Sequence, residues 1–403
     1  MIPFSPPRID QVIVDEVSKA LLSGWITTGP RTKLFETKLT EYVGCRKTIC
    51  LNSATAGLEL ILRWFGVGPG DEVIIPAYTY CSTANVVIHC GAKPVMVDSS
   101  ESDFNLSVDA IKKAITPQTK VIMPVDISGF PADYDSIHNL INLPSVKKQF
   151  SPNSPVQKKL NRILVLSDSA HSFGGTMKGM KCGSLTDVSV FSFHAVKNLT
   201  TSEGGAVCLN LPSEFDVDEV YKHLNMTSLH GQSKDALAKT QIGNWRYDVV
   251  EPGYKCNMTD LSAAIGLVEL ERYQSNLDRR KAIFDQYVEG FKDKPWAIIP
   301  AYKTTEKETS YHLFLLRIRG INESIRDAIM QLIFEAGVSV NVHFQPLPLL
   351  TAYKKRGYKM SDFPTAWSKY ENEITLPVYF NLNNEQVRTV IATVITAVES
   401  IIK

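Results

Sequence analysis

The sequence is short of most features that would take it out of the ordinary class of folded proteins. Charge of one sign is missing: 43 basic and 42 acidic residues leave a formal charge of +1. Nucleic acid and anionic membrane surfaces therefore have no bulk electrostatic partner here. Long apolar runs are missing too, since none approaches the ~20 residues that cross a bilayer. The opening MIPFSPPRID has no basic segment leading into an apolar one, so no secretory signal is expected. Cysteine is sparse: the seven residues are odd in number and form no CxxC pair. That argues against a disulfide framework or a zinc site, and for reduced core thiols in a cytoplasm. Several catalytic signatures are also absent. No GxGxxG follows a strand pattern, and no P-loop, HExxH or GxSxG run occurs, so dinucleotide, nucleotide, zincin and hydrolase readings lose their main support.

What is present is a chain of 403 residues, 44% hydrophobic and 21% charged. That is an ordinary globular composition, long enough for two domains. The first 50 residues read as helices and loop, with a turn-rich link at Gly24–Pro30. Short apolar runs follow at 73–76, 94–97, 121–125, 163–166, 188–191 and 206–209. Helical patterns such as 108–115 separate most of them, which predicts a mainly parallel sheet covered by helices. The polar, proline-containing stretch at 140–162 interrupts this alternation and reads as a surface excursion. Thr259 is the expected N-cap of a helix with Leu261, Ile265, Leu267 and Leu270 on its apolar face. Beyond it, strands are expected at 311–318, 338–344 and 374–380, with helices near 325–336 and 385–402. The division expected is a large domain over 1–269 and a smaller α+β domain over 270–403.

Four short segments carry possible chemistry, and each has a plainer reading when taken alone. Asn52-Ser-Ala-Thr-Ala56 stands between a strand-like run and a helix start. Free amides and hydroxyls there suit a phosphate, or simply a Ser/Thr helix cap. Asp168 ends the 163–166 run, where open α/β sheets bind ligands, or it caps a helix; His171 follows three residues later as a site residue or a structural histidine. Lys197 lies just past a strand in a Ser/Thr/Gly-rich turn, suiting a Schiff-base amine or an ordinary surface lysine. Tyr80, in Tyr78-Thr-Tyr80, could form one wall of a pocket for a flat ring, or be a rim aromatic. Together the four match the needs of pyridoxal 5'-phosphate (PLP). Its phosphate needs amide donors, its ring a face, its pyridine nitrogen a carboxylate and its aldehyde an amine.

On these residues the chain resembles the DegT-type sugar aminotransferases, PLP enzymes of the aspartate-aminotransferase fold. The likeness runs through Ser23-Gly-Trp-Ile-Thr-Thr-Gly-Pro30, Ser53-Ala-Thr-Ala-Gly57, Gly70-Asp-Glu-Val-Ile-Ile-Pro76, Ile115-Thr-Pro-Gln-Thr-Lys120, Asp168-Ser-Ala-His171, Ser192-Phe-His-Ala-Val-Lys197, Glu203-Gly-Gly205 and Gly253-Tyr-Lys-Cys-Asn-Met-Thr-Asp260. The Ser-Phe-His-Ala-x-Lys-Asn run is shared with the subgroup that aminates UDP-linked 4-keto sugars. The resemblance implies fold type I: a mainly parallel seven-stranded sheet in the large domain, then a small α+β domain. It implies Lys197 as the internal Schiff-base lysine, Asp168 on the pyridine nitrogen and His171 near the ring hydroxyl. Tyr80 would stack on the ring, and Ala54, Thr55 and Ser192 would hold the phosphate. Asn257 would reach the phosphate of the neighbouring subunit, making a homodimer with shared sites. Thr27, Thr28, Gly29 and His343 would border the sugar nucleotide.

The reaction implied takes the amino group of glutamate, through PLP and pyridoxamine phosphate (PMP), to a nucleotide-linked 4-keto sugar for surface polysaccharide or glycan synthesis. Two rivals remain at this point. A PMP-dependent sugar dehydratase relative would carry His in place of Lys197, and a non-catalytic regulatory homologue would lack Lys197 or Asp168. Three departures from the family pattern stand out: Asp126 where many members have His, Cys256 where an aromatic is common, and the long 140–162 stretch.

Overall fold

A computed structural model describes residues 1–233 and 246–402. Two helices open the chain, α1 (Gln11–Leu22) and α2 (Pro30–Val43). Asp10 caps the first through the Ile13 amide, and Pro30 starts the second, where its missing N–H costs nothing. A seven-stranded sheet follows. Its strands are β1 (Lys47–Leu51), β2 (Glu72–Pro76), β3 (Lys93–Val97), β4 (Thr119–Ile122), β5 (Leu164–Asp168), β6 (Val188–Ser192) and β7 (Gly205–Leu209), in the order β1-β7-β6-β5-β4-β2-β3. The pairs β2–β3, β2–β4, β4–β5 and β5–β6 are parallel, while β7 runs antiparallel to both β1 and β6. β5 and β7 are buried at every position. That accounts for their unbroken apolar runs, which a sheet covered on both faces requires.

Helices α3 (Ala54–Trp64), α4 (Cys81–His89) and α5 (Val108–Ala114) connect the early strands. The strand-like run before Asn52 is β1, which begins at Lys47 within the stretch otherwise read as helices and loop. It is short, and it is fixed by pairing with β7 residue for residue from Lys47↔Leu209 to Leu51↔Gly205.

The 140–162 stretch is more built than a surface excursion. It follows α6 (Tyr134–Asn142) as two short helices, α7 (Pro144–Gln149) and α8 (Pro155–Leu160). Val146, Phe150 and Leu160 enter the main core. Gln157 is fully buried and donates to the Phe65 carbonyl at 3.1 Å, so the segment is pinned to the end of α3.

After α9 (Val217–Thr227) come α10 (Asp260–Glu271) and α11 (Tyr273–Phe291). Thr259 caps α10 as expected, accepting from the Ser262 amide at 3.2 Å. α11 serves two cores. Tyr273 and Leu277 join the large one, while Ile283, Phe284, Tyr287 and Phe291 join a second. That second core also takes α12 (Glu323–Glu335), α13 (Asn384–Ile401) and one face of a three-stranded antiparallel sheet. The strands of this sheet are β8 (Ala297–Ile298), β9 (Phe314–Ile318) and β10 (Glu373–Leu376). Side chains alternate along them. Phe314, Leu316, Ile374 and Leu376 face the second core, whereas Leu315 faces the first. Glu373 and Thr375 share the face of Leu315, because the register pairs Leu315 with Thr375 and Arg317 with Glu373.

The expected strand at 338–344 is not one. Only isolated bridges remain, Ile2↔Val338 and Asn341↔Thr375. The alternation in Val338–Phe344 is real, but the segment leaves β10 after one bridge, and Glu373 takes the His343 amide at 3.0 Å. Among the described residues no helix is long and apolar enough to cross a membrane.

Candidate active site

The parallel strands end on one side of the sheet, and a cavity of about 470 Å³ opens there. That size suits a small ligand, and the carboxyl ends of strands are where open α/β sheets bind one. Ala54, Thr55, Tyr80, Asp168, His171, Ser192, Lys197 and His343 all line it. Sequence reasoning thus named eight of its walls.

Each arrives by a short route. β1 ends at Leu51, Ser53 caps α3 through the Ala56 amide at 3.1 Å, and Ala54 and Thr55 form the first turn. The amides at that end have no partner within the helix, so they suit an anion. Thr55 Oγ1 lies 2.8 Å from the Ser82 hydroxyl at the start of α4. Gly205 lets β7 approach this turn: a Cβ there would fall 2.5 Å from the Ser53 carbonyl carbon and closer still to the Ala54 nitrogen. Here the lack of a side chain is a steric requirement.

Asp168 is the last residue of β5, buried, and accepts from Thr83 Oγ1 at 2.8 Å and from the Ala170 amide at 3.3 Å. Burial pushes its carboxyl up, while these donors and the Lys197 charge pull the other way. Lys197 lies beyond the end of β6, and burial lowers its ammonium to about 8, with Asp168 opposing. The site therefore holds an ammonium that gives up its proton more readily than an ordinary lysine does, near one carboxyl group. His171 is buried and held well below the usual imidazole range by burial and the Lys197 charge. Its Nδ1 has no hydrogen-bond partner. An orphaned buried nitrogen beside a cavity marks a place for a ligand group. Tyr80 stands at the rim, 60% exposed, with its ring 5.9 Å from that of Phe344.

Four predicted residues, Thr27, Thr28, Gly29 and Asn257, lie elsewhere in the chain. Asn257 donates to Thr28 Oγ1 at 2.5 Å, and Thr28 Oγ1 donates to the Met258 carbonyl at 2.6 Å. The Gly29 amide donates to Asp260 Oδ1 at 2.8 Å, and the same carboxylate takes the Arg31 and Thr32 amides. Asp260 thus caps α2, and Gly29 is pressed against it. The Asn52 amide donates to the Cys256 carbonyl at 2.8 Å, so this cluster runs beside the end of β1 without lining the cavity.

Several residues that line or support the cavity escaped the sequence reading. Phe4 stacks on His343 with centroids 5.5 Å apart, and His312 lies 4.6 Å from His171, ring to ring. Asn198 accepts at its Oδ1 from His312 Nδ1, 2.8 Å away, while its own amide donates to the Ser310 carbonyl at 2.7 Å. Thr83 had a weak signal, lying three residues after Tyr80 in the Ser/Thr-rich first turn of α4. Phe4 and His312 had none, because tertiary folding alone brings them in.

The arrangement fits PLP on this chain's own features: an anion seat at α3, a buried carboxyl on β5, an unpartnered imidazole nitrogen and a desolvated lysine. Comparison with known proteins decides the family. The model of the DegT/DnrJ/EryC1/StrS aminotransferase family matches residues 7–147 and 156–395. The chain belongs to that family. It is a PLP-dependent aminotransferase of fold type I. The unmatched gap falls inside the α7–α8 stretch. The chain is 35% identical to SpsC, a spore coat polysaccharide biosynthesis protein of Bacillus subtilis, over 98% of this chain and 96% of that one. The PMP-form of "Putative sugar aminotransferase Spr1654" from Streptococcus pneumoniae superposes with a TM-score of 0.96 at 49% identity, covering all of both chains. PseC of Helicobacter pylori, an aminotransferase involved in pseudoaminic acid biosynthesis, gives a TM-score of 0.86 at 27% identity over 99% of each chain.

The departures from the family pattern have local accounts. Asp126 is fully buried outside the cavity and accepts from Ser172 and Tyr134 hydroxyls, each at 2.6 Å, and from the Ala132 amide. It braces the turn after β5. Cys256 is buried, which pushes its thiol up to about 11.

Proposed function

We propose that this aminotransferase moves the amino group of glutamate onto a nucleotide-linked 4-keto sugar, most simply a UDP sugar, in the synthesis of surface polysaccharide or glycan. The observation that carries the reading is Lys197 and Asp168 meeting across one cavity whose floor is the α3 N-terminus. SpsC and PseC, whose descriptions place them in polysaccharide and sugar-acid synthesis, support the sugar side. Under this reading the large domain is 1–269 and the small domain 270–403. The two hydrophobic cores follow that division only in part: Leu315, Leu347, Tyr353, Phe363 and Tyr370 join the large core, Ile2 joins the second, and α11 serves both.

PLP, when bound, supplies an aldehyde that accepts an amino group and a ring that draws electrons from the adjacent carbon. The chain's residues do the rest. Ala54, Thr55 and Ser192 seat the phosphate. Asp168 holds a proton at the ring nitrogen, His171 faces the ring hydroxyl and Tyr80 covers the ring. Lys197 Nζ is the covalent tether and, when free, takes a proton from the substrate carbon and returns it. A lysine lowered to about 8 suits that work, since it can both hold and release a proton near neutral pH. His343 borders the sugar nucleotide within this cavity, and Thr28 and Gly29, which lie outside it beside Asn257, would do so from the partner subunit. The test is a panel: incubate the holoenzyme with glutamate and several nucleotide 4-keto sugars, and identify the product by mass spectrometry and NMR. Product from none of them, with glutamate turnover intact, would refute the acceptor class.

Attachment of PLP to the cofactor-free protein should speed up with pH and level off above about 8, because the free amine is then fully formed. Stopped-flow absorption reads this. A rate still climbing at about pH 10, as for an unshifted lysine, would contradict the desolvated amine.

The working unit is a homodimer in which Asn257 serves the partner's phosphate site; its position outside its own cavity supports this. Mixing Lys197→Ala chains with Asn257→Asp chains then gives heterodimers with one doubly impaired site and one intact site. Activity should rise above that of both parents. No recovery after proven subunit exchange, with Asn257→Asp impaired alone, refutes shared sites.

A further inference from the structure

Behind His343 lies a hydrogen-bonded chain that the reaction as described does not use. Thr375 Oγ1 lies 2.6 Å from Glu373 Oε1, and His343 Nδ1 lies 3.0 Å from the same hydroxyl. Glu373 Oε2 accepts the His343 amide at 3.0 Å, and Tyr78 Oη donates to the His343 carbonyl at 2.6 Å. Glu373, Thr375 and Tyr78 are fully buried. They meet His343 because β10 turns Glu373 and Thr375 away from the second core, toward the large one. His343 therefore has one nitrogen on the buried chain, while its ring lines the cavity.

We propose that Glu373 and Thr375 are positioning residues that set, through this chain, whether the other ring nitrogen of His343 offers substrate a donor or an acceptor. The inference rests on the reading above only in placing His343 beside substrate. Two polarities are possible. With Glu373 neutral, its O–H donates to Thr375 Oγ1, the Thr375 hydroxyl donates to His343 Nδ1, and the imidazole hydrogen sits on Nε2. With Glu373 ionised, Thr375 donates to the carboxylate and accepts from His343 Nδ1–H, so Nε2 is a bare acceptor. Passing from the first to the second releases one proton from Glu373; the imidazole hydrogen moves from Nε2 to Nδ1 through cavity solvent. The donor form suits a phosphate or carbonyl oxygen of the substrate, and the acceptor form repels it.

The surroundings favour the neutral carboxyl. Glu373 forms no salt bridge among the described residues. Arg317, its partner in register on β9, donates instead to Asn372 Oδ1 at 2.9 Å and the Ser368 carbonyl at 3.0 Å. Arg326, from α12, donates to Asp327 and to the Tyr370 carbonyl, each at 2.7 Å. Tyr78 is the remaining titratable group against it besides His343. A buried carboxylate without a paired cation is costly, and burial pushes Glu373 up to about 8. His343 itself stays neutral, held down to about 4 by burial and the Lys197 charge.

The experiment is nitrogen NMR of the holoenzyme with labelled histidines, using His343→Gln to assign the signals. In the wild type His343 should carry its hydrogen on Nε2 at about pH 6 and on Nδ1 at about pH 10. Glu373→Gln should keep it on Nε2 throughout, because its carbonyl oxygen takes the His343 amide in place of Oε2 and leaves its NH2 to donate to Thr375. Thr375→Val, nearly isosteric, should remove the pH response and covers the case in which Glu373→Gln fails to fold. A wild-type tautomer constant over this range, or a normal titration in Thr375→Val, overturns the proposal. With the accepted sugar nucleotide, KM should rise about tenfold from about pH 7 to about pH 10 in the wild type and not in Glu373→Gln, the loss of about one hydrogen bond. Lys197 titrates in both proteins and cancels. A tautomer that reverses while KM stays flat would remove His343 from the substrate site and leave the relay standing.

Discussion

Replacing Lys197 with alanine is expected to lower turnover by about 10⁴-fold or more while leaving the fold intact. The loss combines the covalent tether with the group that moves the proton. Borohydride reduction of the wild-type holoenzyme, then peptide mapping, should find the cofactor on Lys197; a label on another lysine ends the assignment. Stability should move the opposite way from activity. The native state holds this ammonium at about 8, below the 10.5 of an ordinary lysine. Protonation is thus disfavoured on folding, a penalty fully present below about pH 8 that fades as pH rises toward 10.5. In the cofactor-free protein at neutral pH, Lys197→Ala should therefore keep or raise Tm, read by calorimetry. A marked fall in Tm would mean that Lys197 is chiefly a packing residue.

The second large effect is expected at Asp168. Asn keeps the shape and can still accept from Thr83, but it brings no negative charge to the ring nitrogen. Asp168→Asn should lose about 10²–10³-fold in kcat, the scale seen when one preorganised electrostatic partner is removed. PLP should still bind, because the α3 end and Lys197 are untouched, so the visible band should persist although shifted. Wild-type turnover in this variant would reduce Asp168 to a cap for the turn at Ala170.

The contrast between these residues and their neighbours shows what a sequence can carry. Lys197, Asp168 and Thr55 were legible because each ends or follows a strand of a parallel sheet, and strand ends converge by geometry. The sheet was legible for the same reason, since alternating apolar runs and helical patterns leave few arrangements. Other features depend on pairing between distant parts of the chain. β1 exists because β7 lies against it. Val338–Phe344 has the alternation of a strand but keeps only single bridges, to Ile2 and to Thr375. Gln157 reads as polar surface, yet it is buried because the Phe65 carbonyl needs a donor. Nothing in the sequence singles out Glu373, and only the facing of β10 turns it toward His343.

Gly205 has a consequence for how the protein is made. It belongs to β7, which lies between β1 and β6 and closes against the first turn of α3. A ribosome releases β1 and α3 long before β7 is synthesised. Until then β1 has an open edge, and the phosphate seat lacks one wall. PLP cannot template the early nascent chain, because the phosphate seat is closed only when β7 inserts between strands already made. This is a non-local closure of the kind that folds slowly and exposes strand edges while it waits. The anion seat thus has to wait until β7 is made, about midway along the chain, and the open edge of β1 is exposed for that interval.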